Sequence, residues 1–297
     1  MPAYSTIYKA LKGLSTHAAA ITATHGGDAT TCGFLQIDNT QHYKRQYDLR
    51  IGRINQMVIG IAATYAELAG VDVSALDLED KRRWLAKNQR LQATVKTFLD
   101  LLDAKHIETV STLHWLRVLV NYIPALSKWR EHISMLFRTR AAKLPLPAQA
   151  TTVHPLASSG KNETVTTELK DALVDFFAQM GQLPDNYHRH LILVGGDGLT
   201  YEKMLVQKQY LQFHDDPFKS FELLEPVLSL WHTEWTDLSR IYESHWDSLR
   251  SEDPSTLGHS AAQVNHPAPP NLKKVDYYPA AEFLYLVLDV RILDCWW

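Results

Sequence analysis

Two aspartates stand where short apolar runs stop, the context that metal-assisted hydrolysis needs. Leu191-Ile-Leu-Val-Gly-Gly-Asp-Gly-Leu-Thr200 reads as a buried strand that ends in Gly-Gly-Asp-Gly and delivers Asp197 to a sheet edge. Gly33-Phe-Leu-Gln-Ile-Asp38 has the same form, with Asn39 behind it as a turn former. Carboxylates at neighbouring strand ends can share divalent cations, which activate water and stabilise a leaving oxygen in phosphodiester chemistry. Asp38 and Asp197 are therefore the candidate metal ligands, and Mg²⁺ or Mn²⁺ the expected cation. Each acid alone has a plainer reading as a turn residue. The glycines are expected to turn the backbone sharply and leave room at the carboxylate, and Thr200 to cap a helix over 201–213.

The elements that must position these acids follow from periodicity. Residues 1–32 read as an N-terminal extension with a short helix near Ile7–Leu14. Strands are expected near 33–65, as a meander of 33–38, 42–51 and 56–65, with a helix over 54–69 the competing reading. From Asp77 to Asp103, Leu78, Trp84, Leu85, Leu91, Val95, Phe98, Leu99 and Leu102 recur at helical steps. A second helical stretch, roughly 107–138 and broken before Pro124, would turn Trp115, Leu116, Leu119, Trp129, Ile133 and Phe137 inward. Together these form a helical insertion over 77–140. Residues 143–162 are linker-like, Glu163–Met180 is an amphipathic helix closed by Gly181, and strands return over 191–231. Thr233–Leu249 is helical, 251–271 reads as a mobile loop, and Tyr277–Trp297 is an apolar helix. That last helix stops without a cap, which predicts a truncated C-terminus or a partner that covers Tyr277–Trp297.

Four stretches stand out together: Phe34-Leu-Gln-Ile-Asp-Asn39, Tyr47-Asp-Leu-Arg-Ile-Gly-Arg53, Gly196-Asp-Gly-Leu-Thr200, and the closing Tyr-Tyr-Pro and Leu-Asp-Cys-Trp of 277–296. In this order they resemble a fungal, basidiomycete family known as a domain of unknown function and similar to transposon-derived proteins. The resemblance implies an α/β fold: an RNase H-like mixed sheet with a large helical insertion, predominantly helical by residue count. In that core the first acid sits on the opening strand and the second on the fourth, where Asp38 and Asp197 fall. Several transposase superfamilies of this fold carry a Cys or Asp, then two further residues, then a His, after the second acid. Here Leu230-Trp-His232 is in place, with Ser229 where the Cys or Asp would stand. For the third acid, a Glu on a late helix, Glu282 is best placed and Glu234 next. The implied activity is metal-dependent cleavage or strand transfer on nucleic acid, DNA first, by a nuclear protein; the alternative is a non-catalytic remnant or interaction protein.

A rival resemblance comes from the same stretch. Gly195-Gly196-Asp197-Gly198 is similar to the Gly-Gly-Asp-Gly-Thr loop of lipid and NAD kinases, whose backbone amides approach nucleotide phosphates. Here Leu199 separates the glycine from Thr200.

Composition bounds all these readings. A 297-residue chain with 45% hydrophobic residues can build a substantial core, and a net charge of -3 excludes a surface that is basic throughout. Nucleic-acid contact must then come from local clusters such as Lys44, Arg45, Arg50 and Arg53, or Lys128, Arg130, Arg138, Arg140 and Lys143. Cys32 and Cys295 can form neither a disulfide framework nor a four-cysteine zinc site, which predicts a reducing, intracellular setting. No signal peptide or membrane-spanning run is expected. His188-Arg-His190 offers two imidazoles on one strand face but no acid or thiol beside them, and reads as solvated.

Overall fold

Alternating burial builds the sheet. In β1 (Gly33–Lys44) Leu35 and Ile37 are buried, and in β2 (Gln56–Glu67) Ile61, Ala63 and Tyr65 are, so each strand turns one face to the core. The computed structural model describes residues 4–47, 54–145 and 148–296. β3 (Val153–Pro155), β4 (Ile192–Gly196) and β5 (Leu224–Leu228) complete a five-stranded mixed sheet of order β3-β2-β1-β4-β5. The pairs β1–β2 and β2–β3 are antiparallel, while β1–β4 and β4–β5 are parallel. β5 tolerates Pro226 because it is an edge strand.

The chain divides into two units, residues 1–88 with 150–233, and residues 89–149 with 234–297. In the sheet unit α6 (Thr166–Gln179) lays Leu169, Ala172, Leu173, Phe176 and Phe177 in one stripe against Leu35, Ile37, Ile61 and Val194. Gly181, at φ +76°, lets the chain leave that helix. α1 (Tyr4–Gly26), α2 (Leu78–Ala86) and α7 (Gly198–Leu211) belong to the same unit. In α2, Arg82 grips Glu222 with two nitrogens at 2.7 and 2.5 Å, and Lys81 pairs with Glu225.

The helical unit holds α3 (Val95–Leu99), α4 (Ala104–Tyr122), α5 (Arg130–Leu136), α9 (Leu257–Gln263) and α10 (Tyr277–Asp294). α8 (Leu230–His245) begins in the sheet unit and continues into this one. Its core gathers Leu238, Tyr242, Trp246, Leu257, Ala261, Phe283 and Val287, and the buried Tyr242 hydroxyl donates to the Ala280 carbonyl at 2.8 Å. Helical residues make up 53% of the chain, as the α/β reading with a helical majority expects. Among the described residues no helix is long and apolar enough to cross a membrane.

Several elements differ from their sequence reading. The N-terminal helix runs from Tyr4 to Gly26, and its last turn is held by the Gln182 side chain donating to the Gly26 carbonyl at 2.6 Å. β1 does not stop at Asp38 but runs on to Lys44, so no separate strand starts at His42; residues 48–53 lie outside the described residues. Residues 56–67 are a strand, which decides against the helix. The linker contains β3, three residues that pair with Thr64–Ala66 at the sheet's edge. The long helix over 77–103 is instead α2, a 3₁₀ turn over 89–92, and α3, because Asn88 takes φ 50° and Thr94 with Thr97 forms a new capping box. Leu78, at its start, is buried in the core of the sheet unit, but the later apolar positions are not: Phe98 is 64% exposed and Leu91 80%.

A buried lysine gives the sheet unit a pH signature. Lys208 of α7 donates to the Leu224 carbonyl, and burial, with the Lys81 charge next, pulls its ammonium down to about 8. Glu225 and Glu222 oppose that fall. The unfolded chain, with a lysine near about 10.4, holds the extra proton between these values, so this group adds stability as pH rises from 8 to 10.4. Lys208→Met is expected to melt higher than the parent at pH 7. Chemical denaturation should show that advantage shrinking toward pH 10.4, by up to about 3 kcal/mol from a shift of this size.

Candidate functional site

The register between β1 and β4 sets the site. Phe34 pairs with Leu193, Leu35 with Val194 and Gln36 with Gly195, all in parallel. Asp38 lies two residues beyond the last of these pairs on β1, and Asp197 two residues beyond it on the other chain segment, just past the end of β4. On β1 this is where the strand leaves the core: Ile37 is fully buried and every residue from Asp38 onward is exposed. Asp38 is thus an acid within a strand, at the edge of the core. Its Oδ1 accepts from the Asn39 amide at 2.8 Å.

On β4 the strand gives way at once to a helix. Asp197 is the N-cap of α7, and its Oδ1 accepts the Thr200 amide at 2.8 Å, so Asp197 takes the capping role expected of Thr200. The glycines before it provide close packing, not space. A Cβ on Gly195 would strike the Phe34 ring and lie 2.6 Å from Gln36 Oε1, and one on Gly196 would lie 2.7 Å from Thr200 Cγ2. Only at Gly198 is that position open. The phosphate-cradle reading needs free amides in this loop. Those of Thr200 and Tyr201 are both engaged, with the Asp197 carboxylate and carbonyl.

A third acid joins them that periodicity does not single out. Glu163, three residues ahead of α6, is 2% exposed. The Asn39 amide group donates to its Oε1 at 2.6 Å, and the Thr200 hydroxyl to its Oε2 at 3.2 Å. One of these partners follows Asp38 and the other lies in the first turn after Asp197. Burial, and then the nearby Asp197 and Asp38 charges, hold the Glu163 carboxyl above the ordinary carboxylate range, against both hydrogen bonds.

The remaining candidates are placed as follows. The Ser229 amide donates to the Gly196 carbonyl at 3.0 Å, so β5 leaves the sheet next to Asp197. His232 follows in the first turn of α8, half-buried and edge-on to Trp231 at 4.9 Å between ring centres. Glu282 is exposed on α10 in the helical unit, and Glu234 accepts the Tyr277 hydroxyl there at 3.0 Å. The acid that accompanies Asp38 and Asp197 in the sheet unit is Glu163.

Residues 88–297, more than two thirds of the chain, match a family of unknown function (DUF6589). The chain belongs to that family. The DUF6589 span takes in Glu163, Asp197 and His232, whereas β1 and β2, and with them Asp38, precede it. No curated protein and no solved structure matches the chain.

Proposed function

We propose that the sheet unit is an RNase H-like transposase core that handles nucleic acid, DNA foremost, and that Asp38 and Asp197 hold Mg²⁺ or Mn²⁺ for phosphodiester cleavage or strand transfer, with Glu163 beside them. The observation that carries this reading is the parallel β1–β4 pairing, which brings the strand ends that lead to Asp38 and Asp197 side by side, with a buried third acid that senses both charges. An antiparallel meander followed by helix, strand, helix, strand is also the order expected of a transposon-derived protein of this kind, and a fungal origin would accord with it. The donor set is all oxygen, which suits a hard cation. Magnesium is commonly bound through one or two carboxylates and keeps several waters, so it needs no closed cage.

When bound, the cation would supply a Lewis acid and an activated water or strand-end hydroxyl for in-line displacement. The protein's own part is positional. β1 and β4 fix the two aspartates, while Asn39 and Thr200 fix Glu163 through hydrogen bonds from the same two neighbourhoods. Lys44 and Arg45, exposed at the far end of β1, could track a phosphate backbone; Arg50 and Arg53 lie outside the described residues. In the helical unit Lys128, Arg130, Arg138 and Arg140 are exposed, and Lys143 pairs with Asp103 at 3.2 Å. An RNase H-like protein that acts on DNA would work in the nucleus.

A non-catalytic interaction role has one observation of its own. α10 leaves Tyr278, Tyr285 and Val290 exposed, and Trp296 just past it, an apolar set that a partner could cover. Mg²⁺- or Mn²⁺-dependent cleavage of labelled DNA by the whole protein, beside Asp197→Asn, separates the two readings.

A further inference from the structure

Away from the acids, three side chains from three elements converge on one oxygen. His25 lies in the last turn of α1, Glu67 ends β2, and His154 is the middle residue of β3. Glu67 Oε1 is 2.8 Å from His25 Nδ1 and 2.6 Å from His154 Nε2. The three ligating atoms all lie within 4.8 Å of one another, and among the described residues this is the one group of three potential ligands that does so. We propose that His25, Glu67 and His154 form a binding site for a transition-metal ion of the zinc class, which clamps the end of α1 to the β2–β3 edge of the sheet.

The chemistry of the donors points to that class. Two imidazoles and one carboxylate are a borderline set that zinc accepts, leaving a fourth position for water. His25 supplies the open side, with its side chain 45% exposed, while His154 is 8% exposed and forms the floor. Tetrahedral zinc with bonds near 2.1 Å sets its ligand atoms about 3.4 Å apart. Each imidazole nitrogen therefore has to draw back from the Glu67 oxygen by less than about 1 Å. In the metal-free state each imidazole can donate a proton to Glu67; on binding, that proton moves to the other ring nitrogen, so neutral rings ligate without net proton release.

The site is also held in place before any ion arrives. Tyr65 pairs with His154 across the ladder and stacks on its ring, at 5.8 Å and 24°. The Glu67 amide donates to the Thr152 carbonyl at 3.0 Å. His188 bonds the Gly27 carbonyl at 2.5 Å, fixing the chain just past His25. The hydrogen bonds from His154 and His25 keep the Glu67 carboxyl below the ordinary range, in the form a metal requires. By contrast, His188 and His190, the pair visible in the sequence, belong to no such three-ligand group among the described residues, and His188 is already committed to the Gly27 carbonyl. Glu67 pairs with Gly33, five residues of β1 or about 16 Å from Asp38, so this site stands apart from the proposed nuclease acids.

Zinc binding to the whole protein, measured by competition with a chromophoric chelator, tests the assignment. One zinc per chain is expected, with affinity lowered more than about 100-fold in His25→Ala and His154→Ala, since even outer-shell losses reach that size, and unchanged in His190→Ala. X-ray absorption at the zinc edge of the parent protein, which needs no variant to fold, should count two imidazole nitrogens. Failure to bind zinc, an oxygen-only shell, or equal affinity in the parent and the folded His25→Ala/His154→Ala protein would overturn it. None of these readings depends on DNA cleavage.

Discussion

Asp197→Asn is expected to lower Mg²⁺-dependent DNA cleavage by at least about 10³-fold while leaving the fold intact. The two effects separate because the side chain has two duties. As the N-cap of α7 it offers Oδ1 to the Thr200 amide, and asparagine caps a helix about as well as aspartate does. As a cation ligand it needs its negative charge, and losing about 4 kcal/mol of transition-state stabilisation corresponds to that rate factor. Thermal melting should therefore shift little in Asp197→Asn, whereas Asp197→Ala should lose about 1 kcal/mol as well as activity. Asp38→Asn should repeat the kinetic loss, since its Oδ1 can still accept from the Asn39 amide. Equal initial rates for the parent and Asp197→Asn would end the nuclease mechanism. If neither protein cleaves DNA with either cation, the interaction role of the exposed α10 face becomes the better reading.

How much of this was legible in the sequence depends on how local each cause is. β4, Asp197 and the helix after it follow from ten consecutive residues, because an apolar run, two tightly packed glycines and a capping acid all act within one turn. Asp38 is legible as an acid at the edge of a core, but not as the interior of a strand. Past Ile37 every residue of β1 is exposed, so no alternation marks its continuation to Lys44. Glu163 could not be found that way. Its burial depends on Asn39 and Thr200, 124 and 37 positions away, and the only local hint is a carboxylate just ahead of an amphipathic helix. The 77–103 stretch shows the opposite failure. Its helical period is genuine, but period alone does not say that a face is covered, and Phe98 and Leu91 stay in solvent. β3 is the extreme case, since three residues, one of them a proline, carry no period at all and are ordered by the edge of β2.

Gly258→Ala should destabilise the helical unit by about 3 kcal/mol, within the range of overpacked cores, although helix propensity argues the other way. Gly258 is the second residue of α9, inside the stretch read from sequence as a mobile loop, and replacing a helical glycine by alanine is ordinarily worth about 1 kcal/mol in favour. Here the added methyl has nowhere to go. It would strike the Ser248 carbonyl oxygen and lie 2.6 Å from that of Trp246, and both are backbone atoms that a rotamer change cannot move. The Gly258 amide also donates to the Trp246 carbonyl at 2.7 Å, so retreat of the backbone breaks that bond. The neighbours are load points of the second core: Trp246 stacks on Tyr242 at 5.6 Å, and Leu257 and Ala261 are buried against the same cluster. Steric loss therefore outweighs propensity, and chemical denaturation followed by tryptophan fluorescence should record it. An unchanged or raised midpoint would mean that this stretch is as mobile as the loop reading of 251–271 expects. Because the strain arises within the helical unit, Asp38, Glu163 and Asp197 should keep their places, and any cleavage the protein supports should persist below the new melting transition.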